Sequence, residues 1–250
     1  MTDDNRIELA AEALVQAHRS RDWLEAEPYP LTNETEAYEV QSIVADELGL
    51  RSGWKLGLNA EGRAIHAPLY AERTHPSPAH LKRGAFNRFL LESELAISFG
   101  KALPPRPEPY TRADVQAAAG FIHPAFEVVD TRFEAWPDVD ALWLLADGMS
   151  HGCFVLGKGV PINSPARLTR ASYRLTVDDR TVQDAERAHP QPDPWDTLTQ
   201  LANHLSAHDV GLAEGDVVTT GTFSGVTPLE AGQVAEVCFE GIGCCRITLR

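Results

Sequence analysis

The chain has 250 residues, 43% of them hydrophobic and 23% charged, a composition that supports one large domain or two small ones. Lysine and arginine number 22 against 36 aspartates and glutamates, a formal net charge of −14. Such a surface repels phosphate backbones and anionic lipid, which argues against a nucleic-acid binder, and it leaves carboxylates available for a hard divalent cation. The four cysteines, Cys153, Cys238, Cys244 and Cys245, include no C-x-x-C pair, and a chain this long needs no disulfide staple, so a reducing compartment is expected. The N-terminus is acidic where a secretory signal is basic, and the longest apolar stretch, Ala141 to Ala146, is too short to span a bilayer. A cytoplasmic protein with no membrane partner is the expectation.

Ile7, Ala10, Ala11, Leu14, Val15 and His18 recur at helical spacing, and Asn33 with Glu36 makes a capping box for a second helix that stops at Gly49. The first fifty residues therefore read as mostly helical. After Gly53 the pattern alternates, with Trp54, Leu56 and Leu58 on one face of a strand and Lys55 and Gly57 on the other. From Phe89 to Phe99 the alternation is clearer, and it points Glu92 and Glu94 the same way. The proline-rich stretch 103–109 is a loop. Thr111 to Ala119 reads as a short capped helix closed by Gly120, and Phe126 to Asp130 as a strand. Further strands are expected at Trp143–Ala146, Cys153–Leu156, Tyr173–Val177, Val217–Thr220 and Ala235–Leu249, the last with a hairpin turn at Gly241–Gly243. A late helix has Asp193 as cap, Pro194 in its first turn, and Leu198, Leu201, Ala202 and Leu205 on one face. Helices first and strands later, without βαβ alternation, predict an α+β fold.

Glutamates on the polar face of a strand are usually solvated, so Glu92 and Glu94 alone say little. Glu127 changes this, because it is embedded in the apolar run Pro124 to Val129, where a charge needs a partner or a metal. Three carboxylates from two strands suit octahedral Mg²⁺ or Mn²⁺ and leave positions for water or a chelating substrate. Thr220-Gly221-Thr222 offers hydroxyls and amides suited to a substrate carboxylate, or is simply a turn after a strand.

The ordered segments Gly53 to Leu58, Glu92 to Ala96, Pro124 to Arg132, Leu201 to Leu205 and Gly215 to Thr222 resemble the fumarylacetoacetate hydrolase superfamily. Within it the chain looks like the 2-keto-4-pentenoate hydratase and 4-oxalocrotonate decarboxylase branch. The resemblance implies that Glu92, Glu94 and Glu127 hold the divalent metal and that Lys55 lies beside the substrate. It also implies a mixed, partly rolled β-sandwich, a helical segment at 1–52 packed on a catalytic unit at 53–250, and a homo-oligomer. Leu58, Asp147, Thr220 and Thr222 are expected to contact the substrate. Two positions depart from the pattern: Glu72 stands where many members have aspartate, and Gly148 where they have asparagine.

A 2-hydroxydienoate that chelates a metal through its carboxylate and C2 oxygen has its enolate charge stabilised there. Protonation at the far end of the dienol gives an unsaturated ketone that water attacks, with Lys55 and Glu72 as the expected acid and base. Decarboxylation of 4-oxalocrotonate would use the same electron sink and is the alternative. A non-catalytic metal-binding relative is a third possibility, given the two departures. Gly148-Met149-Ser150-His151-Gly152 satisfies G-x-S-x-G, but the residues that follow read as a strand where a nucleophile elbow needs a helix, so a serine esterase using Ser150 is the weaker reading. His204 and His208 have zinc-ligand spacing without the H-E-x-x-H glutamate and are expected to be exposed helix residues.

Overall fold

A computed structural model describes residues 3–26 and 28–250. Its first elements are helices α1 (Asp3–Ser20) and α2 (Glu34–Leu48). The predicted apolar face of α1 is the buried one: Ile7, Ala10, Ala11, Leu14 and Val15 pack with Ala37, Val40 and Val44 of α2 in a core of their own. Asn33 caps α2 by accepting from the Glu36 amide, while the Glu36 carboxylate reaches past it to the Thr32 amide.

Strands β1 (Arg51–Leu58) and β2 (Ala64–Tyr70) form an antiparallel pair, followed by the short strands β3 (Thr74–Pro76) and β4 (Ala79–Leu81). The long strand β5 (Leu90–Phe99) pairs with β6 (Ala119–Val129), and α3 (Arg112–Ala118), opened by a Thr111–Asp114 capping box, lies between them in the chain. Next come α4 (Ala141–Ala146), β7 (His151–Leu156) and β8 (Val160–Pro161). The chain continues with β9 (Arg170–Val177), β10 (Arg180–Ala188), α5 (Pro194–Ala207), β11 (Val217–Pro228), β12 (Val234–Phe239) and β13 (Gly243–Leu249). Asp193 caps α5 as expected.

Among the described residues, one sheet runs β2-β1-β11-β5-β6-β7-β3 with β8 on β6, and a second runs β10-β9-β12-β13-β4. Strands β2 and β3 stand at opposite ends of the first sheet, which if flat would separate them by about 29 Å. Only four Cα steps, at most about 15 Å, join Tyr70 to Thr74, so the sheet rolls back on itself. One face of the roll packs on the second sheet: Leu56, Leu95, Ile97 and Phe126 share a core with Leu175, Val237, Phe239 and Ile247. A Cβ on Gly53 would lie 1.9 Å from the Val217 carbonyl oxygen, so glycine is what lets β1 lie parallel against β11.

The fold is the expected α+β roll with N-terminal helices, but several local expectations fail. Trp143–Ala146 is not a strand; Asp140 accepts from the Leu142 amide and starts helix α4, whose Trp143, Leu145 and Ala146 join the helical core. Strand β6 begins at Ala119 and absorbs Gly120. The β12–β13 register sets Cys238 opposite Cys244 with their Cα atoms 4.0 Å apart, and the two form a disulfide, against the expectation of none; Cys153 and Cys245 are free and buried. No helix among the described residues is long and apolar enough to cross a membrane.

Three histidines are buried in the neutral form. Burial lowers the pKa of His18 to about 4, of His66 to about 3 and of His189 to about 4. His66 lies among the rings of Tyr38, Trp54 and His204, and neither of its ring nitrogens has a partner. Once unfolded, the chain binds protons near pH 6.5 that the folded chain refuses, so stability falls as pH drops through that value. Each such group contributes about 2 kcal/mol of loss by pH 5. Urea unfolding at pH 7 and pH 5 is therefore expected to show a loss about 2 kcal/mol smaller in His66→Phe than in the parent. Equal pH dependence in both proteins would mean that His66 accepts its proton inside the fold.

Candidate active site

The period-two alternation of β1, β5 and β6 puts Lys55, Glu92, Glu94 and Glu127 on the face of the roll opposite the main core. Register brings the carboxylates together, because Glu92 is the direct cross-strand partner of Glu127 and Glu94 lies two residues along the same face. Lys55 is buried with them. Its Nζ lies 3.3 Å from Glu127 Oε1 and 3.9 Å from Glu92 Oε2, and it donates to the Met149 carbonyl at 3.0 Å. Glu94 accepts from the Gly221 amide at 3.1 Å.

Three buried or half-buried carboxylates facing one ammonium repel each other, and their titration reflects it. Burial, with the charges of Glu92 and Glu127, raises Glu94 to about 8. Burial also opposes the charges of Glu127 and Lys55, but their mutual attraction outweighs it, so the Glu127 carboxyl is held below its usual range and Lys55 above its own. His151 Nδ1 lies 2.7 Å from Glu127 Oε1. Sequence reasoning missed this histidine, whose only local signal was its place beside Ser150.

These residues fit a divalent cation. Glu127 Oε2 is a buried acceptor with no partner, and an excess of negative charge surrounds it. Among the described residues, no three His, Cys, Asp or Glu side chains close around one point, and the Lys55 ammonium lies against Glu127 and Glu92.

Beside the cluster lies a cavity of about 480 Å³. Leu58, Ile65, Trp136, Leu142, Leu145 and Met149 form most of its apolar wall, and Thr222 and Ser150 also line it. Lys55 is the one cationic side chain among its described lining residues. Helix α4, misread as a strand from the sequence, supplies one side of the wall.

Gly148, Met149 and Ser150 all have left-handed backbones, with φ of 62°, 56° and 57°. Such a run is unfavourable for side-chain-bearing residues and needs an external clamp. Arg132 supplies it: Nε donates to Asp147 Oδ1 at 2.6 Å, Nη2 to the Asp147 carbonyl at 3.2 Å, and Nη1 to the His151 carbonyl at 3.2 Å. The turn so held presents the Met149 carbonyl to Lys55. Glycine at 148 takes this left-handed conformation without the Cβ clash that other residues meet.

The structure places several of the expected site residues away from the cavity or in other contacts. Asp147 is buried against Arg132 and His18 and does not line the cavity, so it anchors the turn. The Thr220 hydroxyl donates to the Leu95 carbonyl and meets His189, and Thr220 is not among the residues lining the cavity. Glu72 is exposed in the Ala71–Arg73 turn. Because β2 sets Ala67 opposite Lys55 and Tyr70 opposite Arg51, the chain has moved roughly 13 Å along the strand before Glu72 begins. Strand β7 starts directly after Ser150, so the G-x-S-x-G match forms no nucleophile elbow. His204 is half-buried, stacked on His208 and edge-on to His66, which differs from the expected pair of exposed histidines.

A rolled mixed sheet with a buried lysine–glutamate cluster beside an apolar cavity defines a small-molecule enzyme. The family described as fumarylacetoacetate (FAA) hydrolase C-terminal matches residues 58–250, and the chain belongs to that family. It is 26% identical, over 98% of both chains, to a 2-keto-4-pentenoate hydratase of Paraburkholderia phymatum. It is 27% identical to a 2-hydroxyhexa-2,4-dienoate hydratase of Comamonas testosteroni, over 99% of this chain and 98% of that one. The 4-oxalocrotonate decarboxylase from Pseudomonas putida G7, complexed with magnesium and adipate, has the same fold, with a TM-score of 0.88 at 20% identity over 100% of this chain and 99% of that one.

Proposed function

We propose that this protein is a metal-dependent hydratase that adds water to a 2-hydroxy-2,4-dienoate to give a 4-hydroxy-2-oxo acid. The observation that carries the reading is the Lys55–carboxylate cluster opening into a cavity whose described lining holds no second cation. A dicarboxylate such as 4-oxalocrotonate buries a second charge that needs a counter-ion, which favours a substrate with an uncharged tail and hence hydration over decarboxylation.

Glu92, Glu94 and Glu127 would hold Mg²⁺ or Mn²⁺, which when bound acts as a Lewis acid toward a chelated 2-oxo acid. The remaining work falls to the protein. Lys55, aligned by the Met149 carbonyl, gives its Nζ proton to C5 of the dienol as the 2-hydroxyl proton is released and the 2-oxo group forms; the resulting amine takes one proton from the water whose oxygen bonds to C4, and the proton released from the 2-hydroxyl ends on C3. His151 fixes the rotamer of Glu127. The apolar wall, Leu58 and Met149 included, orients the tail and limits bulk water. Glu72 has no part in this scheme. A homo-oligomer, implied by the family resemblance, and a cytoplasmic location, expected from the sequence, belong to the same proposal; light scattering tests the first.

Incubation of the protein with Mg²⁺ and 2-hydroxypenta-2,4-dienoate is expected to yield the hydrated product by mass spectrometry, to stop with EDTA and to resume when metal is restored. A fluorophosphonate should leave Ser150 unlabelled. Faster CO₂ release from 4-oxalocrotonate than hydration of the dienoate would make the protein a decarboxylase, and EDTA-insensitive turnover with labelling at Ser150 would make it an esterase.

A further inference from the structure

A second cavity, of about 210 Å³, shares no lining residue with the first. It lies between the C-terminal end of α1, the turn after β2, and strands β3 and β7, with His18, Arg21, Arg73, Asn87, Asp130 and Arg132 on its walls. Three guanidiniums thus face one small space against a single carboxylate, Asp130, whose Oδ1 accepts from the Arg88 and Thr131 amides, in a protein whose net charge is −14. Arg132 is committed, to Asp147 at 2.6 Å and Asp130 at 3.7 Å. Arg21 stands exposed at the rim.

Arg73 differs from both. It is only partly exposed, gives one N–H to His18 Nδ1 at 3.3 Å, and sits 5.7 Å over the Tyr70 ring. It has no carboxylate within 4.0 Å among the described residues. A guanidinium taken partly out of water without a counter-ion is unfavourable, and its planar fork of donors matches a carboxylate or phosphate. Asn87 lies on the same wall, its side-chain amide donating to the Thr131 carbonyl at 3.3 Å.

We propose that this cavity binds a small anion, a phosphate or a short carboxylate, through Arg73 with Arg21 at its rim. The site is joined to the candidate active site by a continuous line of contacts. His18 accepts from Arg73 at Nδ1, so Nε2 carries the hydrogen directed at Asp147 Oδ1, 3.3 Å away. Asp147 and Arg132 in turn hold the left-handed turn whose Met149 carbonyl receives Lys55. An anion on Arg73 therefore acts on the clamp that positions the lysine, which gives the site a means of tuning the enzyme from outside the substrate cavity.

Titration calorimetry on the metal-free full chain with inorganic phosphate, at ionic strength held constant with sodium chloride, tests the proposal. One phosphate per chain is expected, with affinity reduced at least tenfold in Arg73→Met and less in Arg73→Lys. Succinate run in parallel, and bound with the same dependence on Arg73, would place the preference on carboxylates. Phosphate and succinate that bind no more tightly than chloride, or phosphate that binds a folded Arg73→Met with parental affinity, would overturn it. A carboxylate from a second copy of this chain is the competing source of the anion; in that case neither anion binds the parent and Arg73→Met lowers the mass found by light scattering. Should Arg73→Met fail to fold, Arg21→Met at the exposed rim is expected to weaken phosphate binding several-fold, and an unchanged affinity there would sink the site.

Discussion

Replacing Glu127 with glutamine is expected to lower Mg²⁺ affinity by more than roughly 100-fold, beyond what loss of an outer partner of a metal ligand typically does. Glu127 is fully buried, Oε1 meets both Lys55 and His151, and Oε2 has no partner in the protein. Glutamine keeps the shape, removes the charge and turns one acceptor into a donor, which leaves a hard cation with a poorer ligand set. The metal-free protein should suffer as well. Its buried ammonium loses its nearest counter-ion, and breaking a buried pair by removing one partner costs about 3–5 kcal/mol. Calorimetry with Mg²⁺ reads the first effect and urea unfolding in EDTA reads the second. Unchanged Mg²⁺ affinity would remove Glu127 from the ligand set, whatever happened to stability.

The second large effect is expected from Lys55→Met, which keeps most of the stem and its packing but cannot hold a proton. Loss of a general acid or base lowers kcat by roughly 10²- to 10⁴-fold. Metal affinity should move the other way or stay level, because the ammonium lies 3.3 Å from Glu127 and 3.9 Å from Glu92 and competes with a cation for both. That opposition separates the two variants: Glu127→Gln loses metal and activity together, whereas Lys55→Met loses activity with metal retained. Glu72→Gln, on the exposed turn, should behave as the parent in both assays. A parental turnover rate in Lys55→Met would mean that the proton is moved by another group and that Lys55 serves only to balance the carboxylates.

The clamp on the Gly148–Ser150 turn explains why so many buried polar groups surround a site that uses few of them. Among the described residues, Arg132, Asp147 and His18 make no hydrogen bond or ion pair to Lys55 or the three glutamates, yet they hold a backbone that relaxes elsewhere if released. They are positioning residues, and their polar atoms are satisfied mostly by the turn itself.

Periodicity determined a good deal of this protein from sequence alone. Alternation is local, so β5 could be read with Glu92 and Glu94 on one face, β1 with Lys55 opposite its apolar side, and α1 with its buried stripe intact. The mismatch of a charge within the apolar run around Glu127 was also legible, since a buried carboxylate needs compensation in any fold. Tertiary structure alone decided what depends on pairing between distant segments. The β5–β6 register set Glu127 against Glu92, rolling of the sheet brought Lys55 to both, and β7 delivered His151. Asp147 and Thr220, polar and well placed in sequence, were taken by Arg132 and by the Leu95 carbonyl, while the β2 register carried Glu72 out to solvent. The six residues of α4 show the limit most plainly, because a short apolar run buries equally well as strand or helix, and the cap at Asp140 together with the helices beneath it chose the latter.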